Sequence, residues 1–306
     1  MMFPESLTQS IEPIDLDAET RAQAIQIEQQ ARQSATELRH RIAVLIALIA
    51  LTPVLLLVVD LPSRVFTRVV LGSELTISLS TNSILLLLMP VLTVAGVDWI
   101  LRDHPEVRGG EVPYLFPFWV APGLTALSIA SLLIRIQNWP LWITVLIVGI
   151  VILSVLVIAE YIALSPHARG YSLARLAVSS ISYVIAFTLF TLIYSARERS
   201  IVSSSFGLLV AGALALDLLA PHLIGLRLSG IFALIIGLLV AQANWALNYW
   251  NISDWSGGVM LLAVFYVTTG LAQQHFQDKL TREVLIEFAV IATVALVVVW
   301  QLADIR

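Results

Sequence analysis

Long apolar stretches alternate with short polar ones along most of the chain, and only residues 1–41 lack this pattern. An apolar run of about 20 residues is long enough to cross the hydrocarbon of a bilayer as an α-helix. The pattern predicts nine such helices, near Ile42–Val59, Ile77–Ile100, Tyr114–Ile134, Leu141–Tyr161, Ala174–Tyr194, Ile201–Ala220, Leu228–Leu247, Val259–Leu271 and Val284–Leu302. The eighth is the shortest and the second begins in a polar stretch. Eight spans with a re-entrant segment are therefore the alternative.

The hydrophobic pattern also predicts the domain organisation. We interpret residues 1–41 as a polar cytoplasmic tail that is partly helical, because Asp15 or Asp17 can cap a helix there. This helix either runs into the first span or is an interfacial or self-associating helix. Residues 42–303 are predicted to form one transmembrane helical domain, followed by a short C-terminal tail over residues 304–306. The expected fold class is an all-α polytopic integral membrane protein.

Composition and charge narrow the function classes. Apolar residues make up 58% of the 306 positions and charged residues only 12%, which is too little polar surface to coat a soluble protein of this length. Arg and Lys are spread over many loops, so no basic patch predicts a nucleic-acid partner. The chain has no cysteine, which excludes disulfides, thiolate nucleophiles and sulfur-ligated metals.

The distribution of basic residues predicts the orientation. Cytoplasmic loops of membrane proteins carry an excess of Arg and Lys. In this chain the excess is on the side of the predicted spans that includes the N-terminus. We therefore expect a multi-pass protein of the plasma membrane with its N-terminus in the cytoplasm.

Acidic side chains recur near one end of the predicted spans. A charged side chain at the centre of a bilayer costs about 2.5–3.5 kcal/mol on insertion scales, so such residues usually have a function or a partner. In the predicted orientation these acids all lie at cytoplasmic span ends, where they could line a vestibule for a cation, a proton or a polar ligand. They are Asp98, Glu160, Asp217 and Glu287.

Asp217 is the sharpest of these candidates. A carboxylate at the C-terminal end of a helix opposes the helix dipole, so a positive group should compensate it. His222 and Arg227 are the nearest partners in sequence, and we include both among the predicted binding residues. The alternative is that each acid pairs with a nearby base, as Asp98 can with Arg102 one turn later.

A second group of polar residues lies in the outer half of the seventh predicted span. Gln242, Asn244 and Asn248 interrupt an otherwise apolar run, and the two asparagines are four residues apart on one helix face. This face either lines a polar cavity or forms hydrogen bonds with a neighbouring helix.

Motifs for catalysis, metal binding and cofactor binding do not occur in the chain. It contains no HExxH, no GxSxG and no phosphate-binding glycine loop. We accordingly predict no catalytic residue, no metal and no cofactor, and an enzymatic role is not favoured.

A faint internal repeat bears on the choice between transport and a structural role. The third to fifth spans resemble the sixth to eighth: Ser131–Leu133 matches Asp217–Leu219, and Ala159–Tyr161 matches Ala243–Trp245. Repeats of opposite orientation are typical of secondary transporters. The leading hypothesis is a non-enzymatic structural or binding component of the membrane, with other membrane subunits or a second copy as partners. The alternative is a small-solute or ion transporter, and the third is an enzyme acting on a lipid-linked substrate.

Overall fold

The computed structural model describes residues 16–59, 64–70, 73–110, 112, 114–219, 226–250, 252–277, 279 and 281–304. The chain divides into two compact units, Met1–Val44 and Leu45–Arg306. Its elements are α1 (Leu16–Val58), β1 (Arg64–Val70), β2 (Ser73–Leu79), α2 (Thr81–Leu101), α3 (Pro105–Arg108), α4 (Pro117–Arg135), α5 (Trp139–Ala163), α6 (Tyr171–Ser195), α7 (Ser200–Leu219), α8 (Leu226–Leu247), α9 (Asp254–Phe276) and α10 (Arg282–Asp304).

The predicted fold class, an all-α polytopic membrane bundle, is confirmed. Within the described residues, eight helices are long and apolar enough to cross a membrane: α1 from Thr36 onward, α2, and α4 to α9. Helix α10 lies where the ninth span is predicted and has 23 residues. A count of nine spans stays a prediction.

The predicted length of the eighth span is wrong. Helix α9 has 23 residues and is longer than α4, which has 19. The prediction began only at Val259 because polar and glycine residues precede it. These residues belong to the helix: Ser253 caps it by accepting a hydrogen bond from the Ser256 amide at 3.2 Å, and both Ser256 and Gly257 are buried. Close packing against a neighbouring helix therefore extends α9 beyond its apolar run.

The predicted start of the second span is also wrong. Ile77 lies in β2, where it pairs with Phe66 of the antiparallel strand β1. The residues before α2 alternate between polar and apolar types, which is the two-residue period of a strand. Ser80 ends this pattern and caps α2, because its hydroxyl accepts a hydrogen bond from the Ser83 amide.

Contacts between helix ends define one face of the bundle, which we call the Tyr194 face. The Tyr194 hydroxyl at the end of α6 donates hydrogen bonds to the carbonyls of Leu247 and Trp250, at the end of α8 and just beyond it. Arg135 at the end of α4 donates to the Ser195 hydroxyl at 2.9 Å. Helices α4, α6 and α8 therefore end on the Tyr194 face.

The opposite face, which we call the Asp217 face, is where α2, α5, α7 and α9 end. Gln273 near the end of α9 donates a hydrogen bond to the Leu218 carbonyl of α7 at 3.2 Å. His104, just after α2, packs edge-on against Tyr161 in the last turn of α5, with 4.5 Å between ring centroids. Asp98, Glu160 and Asp217, near the ends of α2, α5 and α7, therefore lie on the same side of the bundle.

Helices α7 and α8 approach each other closely because small residues face the contact. A Cβ atom on Gly237 would lie 2.7 Å from the Leu208 carbonyl oxygen and 3.3 Å from Gly212. Ala211 and Ala215 of α7 are fully buried. Small residues at helix interfaces allow this close approach of backbones in membrane proteins.

Candidate functional site

Two carboxyl groups are buried on the Asp217 face. Glu160 in the last turn of α5 and Asp217 in the last turn of α7 are 0% and 1% exposed. Ionisable residues inside a membrane bundle are expensive, and they pair with other groups or mark a functional pathway. Both acids lie at the ends of their helices, as the sequence predicts. Their side chains are nevertheless buried inside the protein and do not extend toward water.

Arg175 is the described basic residue that acts on both carboxyls. It lies in the second turn of α6 and interacts electrostatically with Glu160 and with Asp217. Its Nη1 atom is buried and has no hydrogen-bond partner within the described structure. Arg175 was not among the predicted site residues. The signal that could have identified it is its position inside the predicted fifth span, one residue after Ala174.

Several polar atoms of Glu160 and Asp217 have no hydrogen-bond partner among the residues that the structure describes. Ser182 on α6 donates a hydrogen bond to Asp217 Oδ2 at 3.5 Å. Asp217 Oδ1 and both carboxyl oxygens of Glu160 are buried and accept no hydrogen bond among the described residues. We call Glu160, Arg175 and Asp217 the triad. It contains two acidic groups and one basic group, so it can accommodate one further positive charge.

The other candidates of the predicted acidic group lie elsewhere. Asp98 pairs with Arg102 on the same helix, with 2.6 Å between Oδ2 and Nε, as the sequence alternative expected. Glu287 on α10 and Arg227 on α8 are exposed. His222 lies outside the described residues. Of the six predicted side chains, the structure therefore brings together Asp217 and Glu160.

The polar residues of the seventh predicted span connect α8 to α7. Asn244 is fully buried and donates a hydrogen bond to the Ser203 hydroxyl at 2.7 Å, and Asn248 donates to the same oxygen at 3.1 Å. This is the interhelical alternative of the sequence analysis. Gln242 is exposed and lines a cleft of about 400 Å³ between α7 and α8, together with Trp245.

His104 is a buried group of the Asp217 face outside the membrane-spanning helices. It is 4% exposed, and its Nδ1 atom accepts a hydrogen bond from the Glu106 amide at 3.2 Å. Burial lowers the pKa of His104 below its ordinary value, and the nearby Glu106 carboxylate opposes this shift. The imidazole is therefore neutral where it caps α3.

The protein should lose stability in mild acid because of His104. Its pKa is lower in the folded state than in the unfolded state, where it is about 6.5, so the unfolded state binds more protons. Stability therefore falls as the pH drops through that value. In His104→Asn, which keeps a side chain suited to capping, the melting temperature between pH 7 and pH 5 should decrease less than in the wild type. Equal decreases would contradict this assignment.

Metal binding has no support among the placed side chains. In the part of the chain that the structure describes, no three His, Asp or Glu side chains are grouped so that they could hold a metal ion.

Comparison with known proteins identifies a family. A family model described as protein of unknown function (DUF5656) matches residues 61–302, so the chain belongs to this family. The matched region includes strands β1 and β2 and helices α2 to α9. No curated protein and no solved structure matches the chain.

Proposed function

We propose that this member of the DUF5656 family carries a cation across the plasma membrane, and that the triad is the site at which the cation binds. The observation that supports this proposal is the burial of two acidic side chains, Glu160 and Asp217, beside a single basic one, Arg175. The three groups lie at the ends of three adjacent helices on the Asp217 face.

The charges of the triad do not balance. With both carboxyls ionised, the triad carries a net charge of one negative unit in a site that water does not reach. An uncompensated buried charge costs several kcal/mol or more, so it is neutralised by a bound positive species. Both carboxyls also lie at helix C-termini, where the helix dipole adds to the negative potential. A cation is therefore the ligand that this site favours.

The orientation follows from the distribution of basic residues. We place the Asp217 face in the cytoplasm, together with the N-terminus, because the loops on that side carry more Arg and Lys. The cation would then reach the triad from the cytoplasmic ends of α5 and α7.

A non-enzymatic structural or binding role is the second candidate. It is favoured by the close contact between α7 and α8 and by the bonds from Asn244 and Asn248 to Ser203, which resemble ordinary bundle packing. The internal repeat stays a prediction: α4 packs against α5 and α6 as α7 packs against α8 and α9, but any up-and-down bundle has such neighbours. No arrangement of side chains among the described residues favours the lipid-linked enzyme.

Cation flux into reconstituted vesicles tests the proposal. The full chain is placed in liposomes that carry a potential, negative inside, and the entry of H⁺, Na⁺ and K⁺ is followed with trapped dyes. One of these cations should enter faster than in protein-free vesicles. Glu160→Gln should slow this entry at least about tenfold, the factor that corresponds to the loss of one charge-assisted interaction.

The matched control is Glu287→Gln, which removes an exposed carboxyl from the same face and should transport like the wild type. Entry of all three cations at the protein-free rate would contradict transport and favour the structural role. Wild-type flux in Glu160→Gln would contradict the site.

A further inference from the structure

We propose that the cation of the triad is a proton, which Glu160 carries in a hydrogen bond to ionised Asp217, with Arg175 as the fixed counter-charge. The inference rests on the proposed function for its role in transport. The protonation itself follows from the hydrogen-bond partners and charges of the triad.

The hydrogen-bond partners decide which carboxyl holds the proton. Asp217 accepts a bond from Ser182, as an ionised carboxylate does, whereas neither oxygen of Glu160 has a donor within the described structure. A buried carboxylate without donors is the costlier of the two to ionise. Once protonated, Glu160 gains an O–H donor, and we assign to it as acceptor the Oδ1 atom of Asp217, which is buried and has no partner within the described structure. One proton thus provides a hydrogen-bond partner for one carboxyl oxygen of Glu160 and for Oδ1 of Asp217.

A proton fits this site better than a metal ion. Hard cations such as Ca²⁺ and Mg²⁺ take about six or more oxygen ligands. The unpartnered carboxyl oxygens of the triad are three, and all are buried. The Arg175 guanidinium beside them repels a metal cation. Two carboxyls that share a site hold one proton between them, because two ionised carboxylates repel each other.

The charged groups on the surrounding helices do not change the charge balance. Helices α4 and α6 pack near α5 and α7, and α8 and α9 also pack on α7. Arg135 of α4 lies at the Tyr194 face. Asp254 of α9 also lies there and pairs with Arg197. Arg227 of α8 is exposed, and His275 of α9 stacks on Phe232. Beside Glu160, Tyr161 faces His104. Among the described groups on these helices, Arg175 alone is the basic partner of the carboxyls.

Infrared spectroscopy of the full chain in lipid nanodiscs tests this assignment without any need for transport. At pH 7 the wild type should show the C=O stretch of a protonated carboxylic acid, recognised by its shift in D₂O. Labelling with ¹³C-carboxyl glutamate should move this band, and labelling with ¹³C-carboxyl aspartate should not. The labelling requires no variant, so the test does not depend on the folding of a substituted chain.

Substitutions then test the charge balance. Glu160→Gln should abolish the band. Asp217→Asn should abolish it too, because Glu160 alone is neutralised by Arg175. Arg175→Gln should roughly double the band, since two carboxyls must then be protonated. Glu287→Gln, which removes an exposed carboxyl outside the triad, should leave the wild-type spectrum.

The failures of the two proposals are distinguishable. Absence of the band from the wild type, its movement with labelled aspartate, its survival in Glu160→Gln, or its loss on addition of sodium chloride would each overturn the proton assignment. Cation flux could still be observed in those cases. A band that behaves as expected, in vesicles through which no cation passes, would overturn transport alone.

Discussion

Arg175→Gln should destabilise the protein more than any other single substitution in the triad. It leaves the buried carboxyls of Glu160 and Asp217 without a counter-charge. Removing one partner of a buried ion pair costs about 3–5 kcal/mol of unfolding free energy. The cost should increase with pH, because each carboxyl must then take its proton from a lower proton concentration. The midpoint of thermal unfolding in detergent, measured from pH 6 to pH 8, checks the size and the direction.

A second substitution separates charge from packing. In Arg175→Gln/Asp217→Asn the triad has one carboxyl and no arginine, and protonated Glu160 is neutral, so most of the lost stability should return. Arg227→Gln, which removes an exposed arginine, should unfold like the wild type. If Arg175→Gln melts with the wild type, or if Asp217→Asn does not restore the double variant, Arg175 is not the counter-charge.

Gly237→Ala should separate α7 from α8. The added methyl group would lie 2.7 Å from the Leu208 carbonyl oxygen, and a backbone atom cannot rotate away as a side chain can. Overpacking of this kind costs about 1–3 kcal/mol. A cost of this size should lower the melting temperature of the purified protein by several degrees. Size-exclusion chromatography after heating measures that temperature.

The chain offers a matched control on the same helix. A Cβ atom on Gly230 would have no heavy atom within 4 Å. Gly230→Ala should be neutral or stabilising by up to about 1 kcal/mol, because alanine favours a helix over glycine. Equal destabilisation by Gly230→Ala and Gly237→Ala would show that helix propensity, and not the contact with Leu208, sets the outcome.

The helices were predictable because their cause is local. An apolar run of about 20 residues has one stable conformation across a bilayer, and the predicted runs correspond to helices in the structure. Strands β1 and β2 were missed because Ile77 was assigned from its apolar character alone, without the alternation of polar and apolar residues around it. The early start of α9 was missed because its cause, packing of Gly257 against Tyr194, lies on another helix.

The candidate site was only half predictable for a related reason. Position along a span marked Glu160 and Asp217, since acids are rare in apolar runs. Sequence distance suggested His222 and Arg227 as partners for Asp217, yet the described partner is Arg175, on a helix whose contact with α7 depends on tertiary packing. Asn244 is bonded to Ser203, whereas Gln242 is exposed. This difference depends on the rotation of α8 about its axis, which composition does not determine.

An experimental structure of the full chain in a lipid nanodisc would test the central claim most directly, namely that the triad lacks one positive charge and takes up a proton to supply it. The account predicts a short hydrogen bond, with about 2.5–2.7 Å between a carboxyl oxygen of Glu160 and one of Asp217, and Arg175 beside them. A metal ion between the two carboxyls, or His222 paired with either of them, would contradict it.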